Sequence, residues 1–507
     1  MKQHIVIIGG GVGGLFTGAF LSKEGYRVTV LEKNHNVGGG LQCFQRHGES
    51  FETGMHILGG FQPGGSLSKI CHYLGILPDL NIRPTDSDAI DSITYRCDGT
   101  TYRIPRGRAA FTAYLTQAFP AEREGILRYL HELYAITEEV NLYHLRRGDD
   151  QITRHSANFI MPADAFIAKH ITNSRLRDLL AYMSPMYGGV AGHTPAYVHA
   201  LINVLYIEGS SQFAGGSTQL ADALCHLIEA HGGSIVAGDA VTSIQVADRM
   251  VQSVLTQQGR EYTADWYISD VHPCTLFSLT GDKAFPKAYR TRLQTLPNSY
   301  SCFTVYIKFK PESHPYVNHP QYYQDCEGTV WHLCPDTDGR WPTGLMCITP
   351  PAKEQGKWAS RMVVNCIMSF DDVRQWEATT VGHRGADYEA WKENRKQRVL
   401  HKLEEFMPGT LSHIDFCLAS SPLTIRDYFG TKNGALYGFM RNSQDFMRSQ
   451  IAIGTKVRNL LLTGQNVNLH GICGVPLTAI EVTEALVGRG VVVDKINQAY
   501  TTFEPQP

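Results

Sequence analysis

Six residues near the N-terminus carry the clearest chemical signal: Gly9-Gly10-Gly11-Val12-Gly13-Gly14. The pattern is Gly9-x-Gly11-x-x-Gly14, between a strand-like run and a helix-like run. The first glycine allows a tight turn. The second admits a pyrophosphate against the backbone, and the third lets the helix pack close to the strand. The helix N-terminus then offers N–H groups and a favourable dipole to the phosphates. Glu32 stands at the end of the next strand-like run, where an acid meets a ribose hydroxyl and repels a 2′-phosphate. These residues together predict a dinucleotide site that disfavours NADP. They do not separate FAD from NAD. Gly38-Gly39-Gly40 follows closely and permits a second approach of backbone to cofactor.

The elements that must hold this motif are legible around it. Residues 5–8 are continuously apolar, as a strand buried on both faces is. Leu15, Phe16, Ala19 and Phe20 form a helical stripe over residues 14–24, and Gly25 ends it. Residues 28–31 read as the second strand. Residues 92–104 alternate around Asp98-Gly99, which predicts a hairpin. The stretch from about 106 to 200 reads as mostly helical. Residues 220–230 read as a helix, with short strands around Gly238-Asp239. Residues 301–308, 362–369 and 412–418 are strand-rich. Near the end the Rossmann style returns: Leu460-Leu461-Leu462, a glycine loop, then a helix from about 475 to 487.

The dinucleotide-type segments are thus split along the chain, which predicts two interleaved domains of α/β class. Residues 1–90, 200–290 and 440–507 are assigned to a cofactor domain. Residues 91–199 and 291–439 are assigned to a substrate domain of mixed sheet plus helices.

Composition narrows the class further. The chain has 507 residues, 43% hydrophobic and 19% charged, which suits a globular protein of more than one domain. Lys plus Arg total 46 against 48 Asp plus Glu, so nothing favours a nucleic-acid partner. The 12 cysteines are scattered without a Cys-x-x-Cys pair. That argues for buried thiols in a reducing cytoplasm and against a metal cage or disulfide framework. No signal peptide is read at the start, and the longest apolar runs fall short of the ~20 residues of a spanning helix.

A family resemblance joins these pieces. The run from Val30 to Gly39, with Phe51-Glu52-Thr53-Gly54-Met55-His56, resembles the N-terminus of the phytoene desaturase superfamily. The match is strongest to its retinol saturase and carotenoid isomerase branch. His199-Ala200, Tyr206, Gly209 and Gly215-Gly216 resemble that branch's central segment. Pro422-Leu423-Thr424 with Gly434, Tyr437 and Gly438 resembles its late substrate-domain motif. Leu462-Thr463-Gly464-Gln465 with Gly471 and Gly474 resembles its C-terminal flavin motif. Two departures stand out. Gly40 replaces the arginine usual in desaturases, and Asn466 replaces a common aspartate. An amide still hydrogen-bonds a ribityl hydroxyl.

The resemblance implies a glutathione-reductase-type FAD-binding Rossmann domain, with FAD as cofactor. It assigns Gly9, Gly11, Val12, Gly13, Gly14, Glu32, Lys33, Gly38, Gly39, Gly40 and Leu41 to cofactor binding. Gly464, Gln465 and Asn466 are assigned to the pyrophosphate and ribityl chain. Gly474 and Val475 would set a helix N-terminus at the flavin's pyrimidine edge, and Val241 would meet adenine. His56 is the candidate for proton exchange beside the flavin, with His470 behind it. Tyr187, Tyr206 and Tyr437 would line a tunnel or pack in a core. The implied activity is oxidoreduction at C=C bonds of a lipophilic polyene, as saturase, desaturase or isomerase. An amine oxidase-like enzyme and a non-catalytic prenyl-binding protein of the same fold are the alternatives. The redox partner stays open. Phe159-Ile160-Met161-Pro162, with Phe166-Ile167, would make a peripheral membrane contact if exposed.

Overall fold

The structure is a computed structural model, and it describes residues 3–148, 154–331 and 339–501. A five-stranded parallel sheet has the order β10 (Ser234–Val236), β2 (Arg27–Leu31), β1 (His4–Ile8), β14 (Trp266–Ser269), β20 (Leu460–Leu462). Its strands come from the beginning, the middle and the end of the chain. β1 is fully buried from Ile5 to Ile8, which explains its unbroken apolar run. Helix α1 (Val12–Lys23) crosses from β1 to β2. It packs on the sheet and against two further helices, one from the middle of the chain (Thr218–Ala230) and one near its end (Gly471–Val487). Phe16 and Phe20 are both fully buried there. Each contributes about 1.5–3 kcal/mol of apolar burial.

The second sheet has seven strands. Its order is β19 (Ile414–Ser420), β15 (Ser301–Phe309), β18 (Arg361–Met368), β17 (Gly344–Ile348), β16 (Gln321–Gln324), β7 (Asp91–Tyr95), β8 (Thr101–Ile104). All its neighbours are antiparallel except β16 and β7. The expected hairpin is present as β7 and β8, but five residues connect them rather than a two-residue turn. Period-2 alternation gives this sheet two different faces. Phe303, Val305, Tyr323, Leu345, Cys347, Val364 and Cys366 point into an apolar core. Cys302, Thr304, Tyr322, Met346, Asn365 and Ile367 point the other way, into a large cavity. Register aligns these: Cys302 faces Ile367, Thr304 faces Asn365, and Met346 faces Asn365 and Tyr322.

Smaller sheets complete the frame. β11 (Val241–Ala247), β12 (Met250–Thr256) and β13 (Glu261–Tyr262) form one antiparallel unit. β3 (Cys43–Arg46) pairs with β4 (Glu49–Glu52). β9 (Ser210–Phe213) bridges β5 (Leu58–Gly59) and β6 (Ile82–Pro84). The helical stretch comprises α2 (Arg108–Ala118), α3 (Arg123–Glu138), α4 (Ala163–His170), α5 (Ser174–Leu180) and α6 (Ala196–Glu208). The helix Thr218–Ala230 is α7, Pro422–Phe429 is α8 and Gly471–Val487 is α9. Inside the bundle His199 sits between Tyr129 and Tyr187, whose hydroxyls lie 2.7 and 3.0 Å from its two ring nitrogens. Tyr187 is therefore a core residue and not part of a tunnel wall.

The segment that would touch a membrane if exposed is packed in the helical bundle. Phe166 and Ile167 are buried on α4. Phe159 stacks on Tyr197 at 4.6 Å with a 6° interplanar angle, and its edge meets Phe446. Aromatic partners at home in the bundle have satisfied this stripe, so it offers no exposed apolar patch. Among the described residues, no single helix is long and apolar enough to cross a membrane.

Candidate functional site

Four of the five parallel strands end at one crease, where open α/β sheets place their ligands. β1 runs into the glycine loop, β2 into Glu32, β14 into Asp270 and β20 into Thr463-Gly464. Gly9 takes φ +105°, a left-handed conformation, and its N–H donates to the Leu31 carbonyl at 2.8 Å. A Cβ on Gly14 would collide with the Gly9 carbonyl oxygen, so only glycine lets α1 sit this close to β1. A Cβ on Gly13 would reach 2.6 Å from Gly464 Cα. The N-terminal and C-terminal glycine motifs thus touch backbone to backbone. Thr17 and Thr463 fasten the same contact through their hydroxyls at 2.9 Å.

The other predicted cofactor residues divide into two groups. Gly11, Val12, Gly13, Gly39, Gly40, His56, Gln465, Asn466 and Val475 border the large cavity. Gly9, Gly14, Gly38, Gly464 and Gly474 shape the backbone around it. Gly38, with φ +104°, donates to the Gly10 carbonyl at 2.6 Å. Glu32 is 8% exposed, and its carboxylate accepts from Gly10 N–H at 2.8 Å and Asn34 N–H at 2.9 Å. Lys33 Nζ donates to the Asp427 carbonyl at 2.7 Å, and burial pulls its ammonium below the usual lysine range. Leu41 packs its side chain in the core. Val241 is half-buried at the start of β11, away from the cavity.

Helix α9 starts about one turn earlier than the sequence suggests. Its first residue is Gly471, and its N-cap is His470 in extended conformation. Pro476 ordinarily marks a first turn, but here it lies inside the helix, where it lacks the N–H that would bond Ile472. Gly474 and Val475 therefore lie within α9 rather than at its mouth. Arg441 shapes the loop ahead of the helix by donating to the carbonyls of Ser449, Val467 and Asn468 at 2.6, 2.6 and 2.7 Å.

The cavity extends from this crease between the seven-stranded sheet and the helices. Met186, Ile202, Leu205 and Tyr206 face the sheet residues, while Phe429, Leu436 and Tyr437 close another side. Asp270 is the sole carboxylate lining the cavity among the described residues. Burial and the nearby Glu32 charge push its carboxyl up to about 7, against the N–H groups of Gly14 and Gly11 that hold it down. His272 and His470 also border the cavity. Burial drops His272 to about 4, and burial with the Arg441 charge drops His470 to about 3, so both are neutral near pH 7. His56 is 9% exposed, and its Nδ1 lies 3.2 Å from Glu52 Oε2.

Residue-by-residue reading passed over Asp270, His272 and the role of Glu52. Asp270 ends the run Trp266-Tyr267-Ile268-Ser269, whose strand character was the available signal. Glu52 lies four residues before His56 in the same quoted motif, and only tertiary structure reveals that their side chains meet.

The crease fits a flavin dinucleotide. Neither α1 nor α9 has a side-chain cap at its N-cap residue, and α1 has no acid in its first turn, so both N-termini are suited to anionic groups of a ligand. His470 Nδ1 is buried without a partner beside the α9 N-terminus. Among the described residues no group of His, Cys, Asp and Glu could hold a metal ion. A split Rossmann sheet, a glycine crease and an adjoining apolar cavity define a flavin-dependent oxidoreductase with FAD as its cofactor. Residues 12–481 match the model of the flavin-containing amine oxidoreductases, and the chain belongs to that family.

Individual relatives place the likeness within the retinol saturase and carotenoid isomerase branch of the phytoene desaturase superfamily. All-trans-retinol 13,14-reductase of Homo sapiens is 24% identical over 98% of this chain and 87% of that protein. Chloroplastic prolycopene isomerase of Arabidopsis thaliana is 25% identical over 86% of this chain and 74% of its own. An oxidoreductase from Methanosarcina mazei shares the fold with a TM-score of 0.66 at 17% identity, covering 95% of this chain and all of that one.

Proposed function

We propose that the protein moves a hydride between FAD and a C=C bond of a lipophilic conjugated isoprenoid, of carotenoid or retinoid type. The observation that carries this reading is the cavity wall. Met186, Ile202, Leu205, Met346, Ile367 and Leu436 supply apolar surface along it, and the one carboxylate lining it among the described residues lies at the glycine end. A cationic amine would find no carboxylate along that apolar wall to balance its charge, whereas a polyene needs none. The names of the relatives, a retinol reductase and a prolycopene isomerase, support the same substrate class.

The residues take the following parts in this proposal. FAD, when bound, exchanges hydride at its N5. Gly11, Gly13, Gly14 and Gly464 admit its pyrophosphate, Glu32 accepts from a ribose hydroxyl, and Gln465 and Asn466 meet the ribityl chain. Gly38, Gly39, Gly40 and Lys33 bound the cofactor on the other side. The apolar wall aligns the substrate and keeps water from the reacting carbon. His56, held by Glu52, supplies or accepts the proton. Residues 1–90, 200–290 and 440–507 would form the cofactor domain, since all five strands of the parallel sheet fall within them. The substrate is insoluble in water, so a cytoplasmic enzyme with peripheral membrane contact suits it.

The test is anaerobic. The bound flavin is reduced, candidate polyenes are added, and the return of oxidised flavin absorbance is followed. Reoxidation by a polyene is expected. Inertness toward every polyene, together with rapid flavin reduction by an amine in the oxidised enzyme, would overturn the substrate class.

A further inference from the structure

The crease that receives the pyrophosphate already holds an anion of the chain's own. Asp270 directly follows β14, and its carboxylate lies between the α1 glycines and the loop after β20. A Cβ on Gly11 would lie 2.7 Å from Asp270 Oδ2, and one on Gly13 or Gly464 would collide with Oδ1. The carboxylate therefore fills the space that those three glycines leave open. The Gly11 and Gly14 N–H groups lie beside it and favour its charged form. They belong to the same uncapped α1 N-terminus that serves the phosphates.

Two anions cannot share those donors cheaply. Like charges a few ångströms apart, in a site poor in water, force one group to keep its proton. The surroundings of Asp270 decide which group yields. From β2, Glu32 adds a further negative charge, and no cation is among the charges acting on Asp270. From the β20 loop come Gly464, Gln465 and Asn466, and from α1 Val12, Gly13 and Gly14, none of them charged. After β14 comes His272, which burial keeps neutral. A pyrophosphate diester stays fully ionised around neutral pH. The carboxyl is the group left to take up a proton.

We propose that FAD binding is coupled to protonation of Asp270: the pyrophosphate enters the crease as one proton passes from solvent to the carboxylate, and the resulting O–H donates to a phosphate oxygen. No other bond changes. FAD affinity then falls as pH rises, approaching tenfold per pH unit once Asp270 is ionised in the free protein. The proposal rests on the placement of the pyrophosphate at this crease.

Flavin-stripped protein titrated calorimetrically with FAD, and separately with ADP-ribose, tests this between about pH 6 and pH 9 in buffers of different ionisation enthalpy. ADP-ribose carries the same pyrophosphate diester and lacks the flavin, so it leaves His56 out of the measurement. Wild type is expected to take up little at about pH 6, close to one proton toward pH 9, and to lose affinity over the same rise. Asp270→Asn is expected to bind with no pH slope and no proton uptake. PH-independent wild-type binding without uptake would overturn the proton role alone, and so would an unchanged slope in Asp270→Asn. Failure of both ligands to bind at any pH would overturn the placement as well. The proton count on wild type stands even if the variant does not fold.

Discussion

Glu52 Oε2 and His56 Nδ1 lie 3.2 Å apart, and both side chains are almost wholly buried at the cavity edge. The carboxylate engages Nδ1 and leaves Nε2 as the nitrogen available for exchange. A buried carboxylate on one ring nitrogen of an imidazole sets the orientation of the ring. His56→Ala should retain FAD and lose ~100- to 10,000-fold in turnover, the usual worth of general acid–base help. Glu52→Gln should also retain FAD and lose less than His56→Ala, with an altered pH–rate profile. Single-turnover flavin reoxidation measures both. Unchanged turnover in His56→Ala would remove that residue from the mechanism without touching the cofactor.

The glycine crease makes a second expectation independent of substrate. A Cβ at Gly11 already meets Asp270 Oδ2 at 2.7 Å, and a valine adds two methyl groups beyond it. Gly11→Val should therefore purify without flavin. Visible absorbance of the purified variant checks this directly, and full flavin occupancy would contradict the placement of the pyrophosphate.

Behind the cavity wall, Asp91 provides a stability test. Tyr182 O–H donates to its Oδ2 at 2.6 Å, and the Tyr182 ring meets the edge of the cavity-lining Tyr322. Burial pushes the Asp91 carboxyl up to about 8. Its unfolded value is about 3.9. The folded state thus holds a proton that the unfolded state has released throughout the interval between these values. The stability this contributes is complete below the unfolded value and is lost as pH rises through the folded one. Asp91→Asn keeps an acceptor for Tyr182 and removes the titration. Its melting temperature should fall less than that of wild type between about pH 5 and pH 8. Parallel curves from thermal melts would show that Asp91 ionises normally.

A lipophilic substrate gives a fractionation prediction. Part of the protein should be recovered with membranes and released by mild detergent, since no described helix is a single spanning segment. Recovery only after full membrane solubilisation would contradict peripheral contact.

The sequence made the crease legible because backbone requirements leave unmistakable residues. Gly9, Gly11 and Gly14 can be read from spacing alone, and Leu460-Leu461-Leu462 before Thr463-Gly464 repeats the signal at the far end. The cavity was not legible in the same way. Met346, Asn365 and Tyr322 become neighbours only through strand register across the seven-stranded sheet. The apolar run around Phe159 shows the converse limit. Its composition suits a core and, if exposed, a membrane, and Tyr197 and Phe446 decide for the core. The start of α9 falls earlier than the expected 475, because tertiary packing tolerates Pro476 inside the helix and the broken hydrogen bond that comes with it.

The contact between Gly13 and Gly464 has a consequence for the life of the chain before it is an enzyme. Thr17 and Thr463, whose hydroxyls meet, are 446 positions apart. At roughly 5–20 residues per second of synthesis, the first glycine loop waits on the order of a minute for its partner to leave the ribosome. A chain broken off before β20 lacks half of the crease and one edge strand of the parallel sheet. Flavin capture therefore waits on the synthesis of β20 and the loop that follows it. Because a ligand of the folded state stabilises that state alone, FAD present once β20 has formed adds stability that a shorter chain cannot gain.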